Sequence, residues 1–159
     1  MLKIIKWEDI ENYKKLWHDK KSVLVGGCFD ILHFGHLKFL QQAKKSGDLL
    51  IVALESDQFI KKKKGKPPFH NQKERGEILS ALTVVDFIIM LSSLMRDDDY
   101  FQLVKKVSPK IIAVTTGDTQ MKSKKDQAEK VGAKLLTVIP LIKRFSSSKI
   151  LDYESVFSG

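Results

Sequence analysis

Cysteine is almost missing from this 159-residue sequence: Cys28 stands alone, so no internal disulfide can form. A chain that folds without disulfides suits a reducing compartment, and a cytoplasmic location is expected. No apolar run approaches the roughly 18 residues needed to cross a bilayer, and Met1 to Glu8 carry no secretory h-region, so neither a membrane span nor a leader is expected. The G-x-G-x-x-G dinucleotide fingerprint and the Walker A pattern are both missing, which argues against a dehydrogenase and a P-loop enzyme. Acidic side chains are in deficit, 19 against 28 basic ones, for a formal charge of +9. Such an excess attracts phosphorylated small molecules or nucleic acid. Much of it lies in Lys61 to Lys64 plus Lys66, without the interleaved aromatics that read bases, so phosphate attraction is favoured and nucleic-acid binding is not expected.

What is present describes a globular chain, with 43% hydrophobic and 30% charged residues. One domain over residues 1–159 is expected, without repeat or linker. Ile10, Tyr13, Leu16 and Trp17 recur at helical spacing and predict an amphipathic helix within Glu8 to Lys20. Apolar runs at Val23–Val25, Leu49–Leu54, Val84–Leu91, Lys110–Val114 and Ala133–Ile139 read as strands, and their continuity is that of strands buried on both faces of a parallel sheet. Helices are predicted after Val25 (to Gly47), from the Asn71 cap, over Tyr100–Val107 and over Lys122–Val131. Asp97-Asp98-Asp99 reads as helix capping, not as a metal site. Phe59 to Pro68, with four successive lysines, a glycine and two prolines, predicts a mobile basic loop. Five strands alternating with helices predict a three-layer α/β fold.

The stretch from Val23 to His36 organises the rest. An apolar strand ends in Gly26-Gly27, the chain turns through Asp30, and an amphipathic helix begins near His33 and His36. A helix N-terminus carries free N–H groups and a partial positive charge, so it receives anions. Residues three apart share a face, so both imidazoles can address one ligand, with Gly35 leaving the backbone open between them. A zinc site is not expected, because one cysteine and one aspartate complete no tetrahedral set. Ser146, Ser147 and Ser148 form a second hydroxyl-rich helix start, and Arg144 just before them can grip a phosphate through its planar fork.

Gly27-Cys28-Phe29-Asp30-Ile31-Leu32-His33-Phe34-Gly35-His36 resembles the G-x-F-D-x-L-H-x-G-H signature of the cytidylyltransferase-like nucleotidyltransferases. The detail is similar to the adenylyltransferase domain of ADP-heptose synthases and to glycerol-3-phosphate cytidylyltransferase. The resemblance runs to about Ile150 and implies a Rossmann-like fold, usually in a dimer. It also implies that His33, His36 and Arg144 act on the triphosphate. Gly27, Cys28, Phe29, Asp30, Gly35, Lys63, Lys64, Arg75, Ser146, Ser147 and Ser148 are then candidates for binding the nucleotide. Gly117 and Asp118 match a loop that holds base and ribose, although Thr115 or Thr116 stands where the heptose enzymes carry lysine. Magnesium is expected on the triphosphate rather than on a protein ligand set. The implied reaction transfers a nucleoside monophosphate, AMP from ATP in the first reading, to a phosphorylated acceptor such as a sugar 1-phosphate. Cytidylyl transfer to a polyol phosphate, flavin adenylylation, and a nucleotide sensor or RNA-binding protein are the alternatives.

Overall fold

A computed structural model describes residues 3–93, 95–140, 146 and 148–150. Its centre is a parallel sheet of six strands: β1 (Ile4–Lys6), β2 (Ser22–Gly27), β3 (Leu49–Leu54), β4 (Phe87–Met90), β5 (Ile111–Thr116) and β6 (Lys134–Pro140), in the order β1-β4-β3-β2-β5-β6. The three-layer α/β expectation holds, with six strands in place of five. The added strand, β1, is three residues long and half-exposed at the edge, too short to give a periodic signal.

The two faces of the sheet carry separate cores. Alternation along β2 sends Val23 and Val25 to one and Leu24 to the other. The first face is covered by α2 (Phe34–Lys45) and α4 (Gln72–Ser80), whose Leu40, Ala43 and Leu79 meet Val52, Leu54 and Ile88. The second is covered by α1 (Ile10–Tyr13), α5 (Asp97–Val107) and α6 (Met121–Val131), with Trp17, Phe87, Val104 and Ala128 packed between. Trp17 is fully buried and donates its indole N–H to the Val107 carbonyl at 3.0 Å, which satisfies the one polar atom its burial would strand. Burial of each such large side chain stabilises the fold by about 2 kcal/mol.

Three local expectations are corrected. The segment Glu8–Lys20 is not one continuous helix: α1 is flanked by 3₁₀ turns at Trp7–Asp9 and Lys14–Leu16, which lets both Ile10 and Trp17 reach the core. The third predicted strand begins only at Phe87, because Asp86 turns its carboxylate onto the Leu50 N–H (2.7 Å) and the Lys44 ammonium (2.6 Å).

The lysine run is not a loop. It forms the last turn of α3 (Asp57–Lys64), capped by Ser56, anchored by fully buried Ile60 and stopped at Gly65 in the left-handed region (φ 73°). Cations in a last turn favour the helix dipole, so the composition that looked unstructured suits a C-terminus. Composition alone did not weigh the Ser56 cap at the other end.

Consecutive strands run outward from β2 through β3 to β4, and the chain then crosses back to lay β5 on the other side of β2. The crevice outside the carboxyl ends of β2 and β5 is therefore the topological switch point, where open α/β sheets bind ligands.

Candidate functional site

At the end of β2 the backbone makes an abrupt turn. Phe29 adopts a left-handed conformation (φ 46°), uncommon for a residue with a side chain. Its ring folds back over Gly27, where an added Cβ would lie 2.8 Å from Phe29 Cε2. Gly27 is thus required by close approach. The Phe29 ring then leans on His36, with centroids 5.1 Å apart.

Two buried polar residues hold this turn. The Asp30 carboxylate accepts the N–H groups of Phe69 (3.2 Å) and His70 (3.1 Å), fastening the segment before α4 to the turn. Arg75, fully buried, donates to the carbonyls of Cys28 (2.5 Å), Glu55 (2.8 Å) and His70 (3.1 Å) and pairs with Asp57 at 2.7 Å. One guanidinium therefore ties together the ends of β2 and β3 and the starts of α3 and α4. The structure places Asp30 and Arg75 beneath the site as its frame.

His33 caps α2. Its Nδ1 accepts the His36 N–H at 3.3 Å, so the neutral ring carries its proton on Nε2. The two imidazoles stack with centroids 3.7 Å apart and planes 17° apart. Burial lowers the pKa of His33. The His36 pKa falls to about 4, through burial first and then the neighbouring His33, while the Ile31 backbone opposes the shift. The His36 Nδ1 is buried without a partner in full hydrogen-bonding geometry. Both rings are therefore neutral at pH 7 and not fixed cations.

These rings line a cavity of about 360 Å³ with Gly35, Lys64, Ser146 and Ser148, and with Phe39, Ile139 and Pro140 as apolar walls. Gly27, Cys28, Phe29 and Asp30 also contribute to it. Ser146 caps the helical turn at 148–150, its Oγ accepting the Lys149 N–H at 3.1 Å, so two helix starts are directed at one space. Arg144 and Ser147 lie outside the described residues.

A second cavity of about 240 Å³ opens on the α5–α6 side of the same strand end and shares Gly26, Gly27 and Cys28 with the first. Lys63 lines it, whereas its neighbour Lys64 lines the histidine cavity. Gly117 makes the turn after β5 (φ 80°), and Asp118 faces this second cavity, where it pairs with Lys124 at 2.6 Å and accepts the Gln120 N–H at 2.8 Å. The structure thus separates Asp118 from the histidines.

Sequence reasoning also missed part of this second cavity. The Tyr100 phenol donates to both oxygens of Glu55, at 2.8 and 2.9 Å. Burial raises the Glu55 pKa, and the Tyr100 pKa is raised by burial and by the Glu55 carboxylate. Glu55 was readable from its place at a strand's carboxyl end. Tyr100 and Lys124 lie in helices with no local signal.

The described residues contain no cluster of three or more His, Cys, Asp or Glu placed to hold a metal, and both Asp30 oxygens are engaged by backbone.

A cytidylyltransferase-like family model matches residues 24–151. The bifunctional protein HldE of Campylobacter jejuni subsp. doylei is 39% identical over 138 residues, 84% of this chain and 28% of that protein, so the chain spans little over a quarter of that relative. FAD synthase of Pyrococcus abyssi is 36% identical over 134 residues, 81% of this chain and 88% of that protein. Among solved structures, a lipopolysaccharide core biosynthesis protein from Thermoplasma volcanium superposes with a TM-score of 0.61 at 28% identity, covering 77% of this chain and 96% of its own. Pantoate-beta-alanine ligase from Francisella tularensis gives 0.63 at 16% identity, covering 100% of this chain and 79% of its own, a likeness of fold.

Proposed function

The chain belongs to the cytidylyltransferase-like family, and on that premise we propose that it is a nucleotidyltransferase. It moves the AMP moiety of ATP onto a phosphorylated acceptor and releases pyrophosphate. The observation that carries this reading is the stacked pair of neutral imidazoles at the start of α2, in one cavity with Lys64, Ser146 and Ser148.

The triphosphate lies along the two helix starts, where free N–H groups and partial positive charge favour an anion. The base rests against Phe39, Ile139 and Pro140. A phosphate oxygen of the acceptor forms a bond to the α-phosphorus, and the bond from that phosphorus to the bridging oxygen breaks. The electron pair leaves with pyrophosphate. A phosphate monoester dianion is already nucleophilic at neutral pH, so no general base is required. Catalysis then consists of positioning and of donors directed at charge that develops in the transition state. The Nε2–H of His33 is such a donor, and His36 is a second. Lys64 and the serines hold the outer phosphates, with Arg144 and Ser147 assigned to the same work by the family resemblance. Magnesium enters as part of the triphosphate substrate.

A sugar 1-phosphate of the heptose kind is the first acceptor, supported by the signature and by the similarity to HldE. Flavin adenylylation is the second reading, favoured by the match over 88% of an FAD synthase. Cytidylyl transfer to glycerol 3-phosphate follows from the signature's other resemblance. A homodimer and a cytoplasmic location complete the proposal, the one from the family and the other from the solitary thiol. No helix among the described residues is long and apolar enough to cross a membrane. The test is a pyrophosphate-release screen with magnesium, crossing ATP and CTP against heptose 1-phosphate, glycerol 3-phosphate and FMN. One pair should turn over. Failure of the chain to bind any triphosphate would overturn the proposal.

A further inference from the structure

We propose that the second cavity receives the acceptor of the transfer proposed above, and that it selects a compact, hydroxyl-bearing phosphate monoester through the Glu55–Tyr100 pair, with Lys63 as the phosphate anchor. The inference rests on that transfer and names what the sequence left open, the class of acceptor.

The two cavities meet over Gly26, Gly27 and Cys28, where no side chain larger than a thiol intervenes. Ligands on the two sides can therefore bring an oxygen and a phosphorus together across the strand end. Lys63 and Lys64, adjacent in the last turn of α3, fall one on each side and divide the phosphates between them. In the second cavity Lys124 is neutralised by Asp118, while Lys63 has no carboxylate within ion-pair distance among the described residues. Lys63 is the charge left for an incoming dianion.

Glu55 sets the other end of the ligand. The Tyr100 phenol donates to both carboxylate oxygens and fixes the plane of the group, whose remaining lone pairs are available to the cavity. A carboxylate repels phosphate and accepts from hydroxyls, so the occupant is anionic at one end and carries O–H groups at the other. A ligand hydroxyl adds a charge-assisted hydrogen bond to this carboxylate, so an acceptor without a hydroxyl at this point is disfavoured.

Size agrees. The cavity, about 240 Å³, falls below the roughly 300–1,000 Å³ of pockets for drug-sized ligands. Its walls set Glu55, Lys63 and Lys124 against apolar Phe59, Leu103 and Val104, so it is the small volume that disfavours a flat tricyclic ring. The nucleoside has its own apolar walls on the histidine side.

The experiment is calorimetric titration of the full chain, in the presence of α,β-methylene-ATP, with glycerol 3-phosphate, glucose 1-phosphate and FMN. Glu55→Gln and Tyr100→Phe keep shape and remove the charge or the hydroxyl, and thermal unfolding checks that each variant folds. We expect at least one polyol phosphate to bind, and each variant to weaken it about tenfold to a hundredfold while leaving α,β-methylene-ATP affinity within about twofold. Lys63→Ala should weaken inorganic phosphate as well, which Glu55→Gln should not. FMN binding in place of both polyol phosphates, no binding by any probe, or variants that weaken the nucleotide instead would each overturn the assignment. The titrations need no turnover. Failure of the transfer reading, with no pyrophosphate from any pair, is therefore distinguishable from failure of this one.

Discussion

Arg75 donates to the Cys28 carbonyl at 2.5 Å from a position with no solvent exposure, one residue beyond the glycine pair where the two cavities meet. The same guanidinium reaches the Glu55 carbonyl. The nucleotide and acceptor sides of the site are thus hung on one buried cation.

Arg75→Ala should leave the buried Glu55 carbonyl and the half-buried Cys28 and His70 carbonyls without their donor, and the Asp57 carboxylate without its partner. The expected loss is about 3 kcal/mol or more of unfolding free energy, with little recovery in Arg75→Lys because an ammonium cannot span the fork. Urea denaturation measures it. A variant within about 0.5 kcal/mol of wild type would show that the frame lies elsewhere.

Gly27→Ala places a methyl 2.8 Å from the Phe29 ring. Because that ring leans on His36, the strain passes to the imidazoles. We expect a stability loss of about 1–3 kcal/mol together with weaker triphosphate binding, read by calorimetry. Unchanged affinity would separate Phe29 from the site.

His36 titrates at about 4, below the ordinary 6.5. Between these values the unfolded chain binds a proton that the folded chain does not, so stability rises with pH through this window and, from this source, levels off above it. The gap corresponds to roughly 3 kcal/mol, lost as pH falls from 6.5 toward 4. Denaturation midpoints at pH 4.5 and 7, compared for wild type and His36→Gln, isolate the effect. An equal pH response in both proteins would contradict it.

Lys64→Ala should weaken triphosphate binding about tenfold and reduce its salt dependence, whereas Lys62→Ala, which lines neither cavity, should change neither. Equal effects from both would favour a diffuse basic surface over a directed helix end.

Sequence legibility followed the range of the physics. The turn from Val23 to His36 is local, and its strand, glycines and helix start were readable because each depends on neighbours in the chain. The sheet was readable from continuous apolar runs such as Leu49–Leu54. Strand β1 was not, since three residues become a strand only by pairing with β4 some 84 positions away (Ile4 with Ile88). The lysine run failed for a different reason: its composition was judged without the Ser56 cap and the buried Ile60 that make it a helix. Arg75 was a nucleotide-binding candidate by resemblance, and only the tertiary structure shows it turned inward to four partners. Tyr100 meets Glu55 across 45 residues, a contact that no spacing rule reaches.

The most direct test of nucleotidyl transfer follows the α-phosphorus. ATP labelled with ³²P at the α position is incubated with magnesium and the acceptor found in the screen, using wild type and His36→Ala. Label should move into a product that resists alkaline phosphatase, in step with pyrophosphate, at a rate lower by about 10²–10³ in the variant. Release of orthophosphate without labelled product, or a variant as fast as wild type, would contradict transfer at the histidine pair.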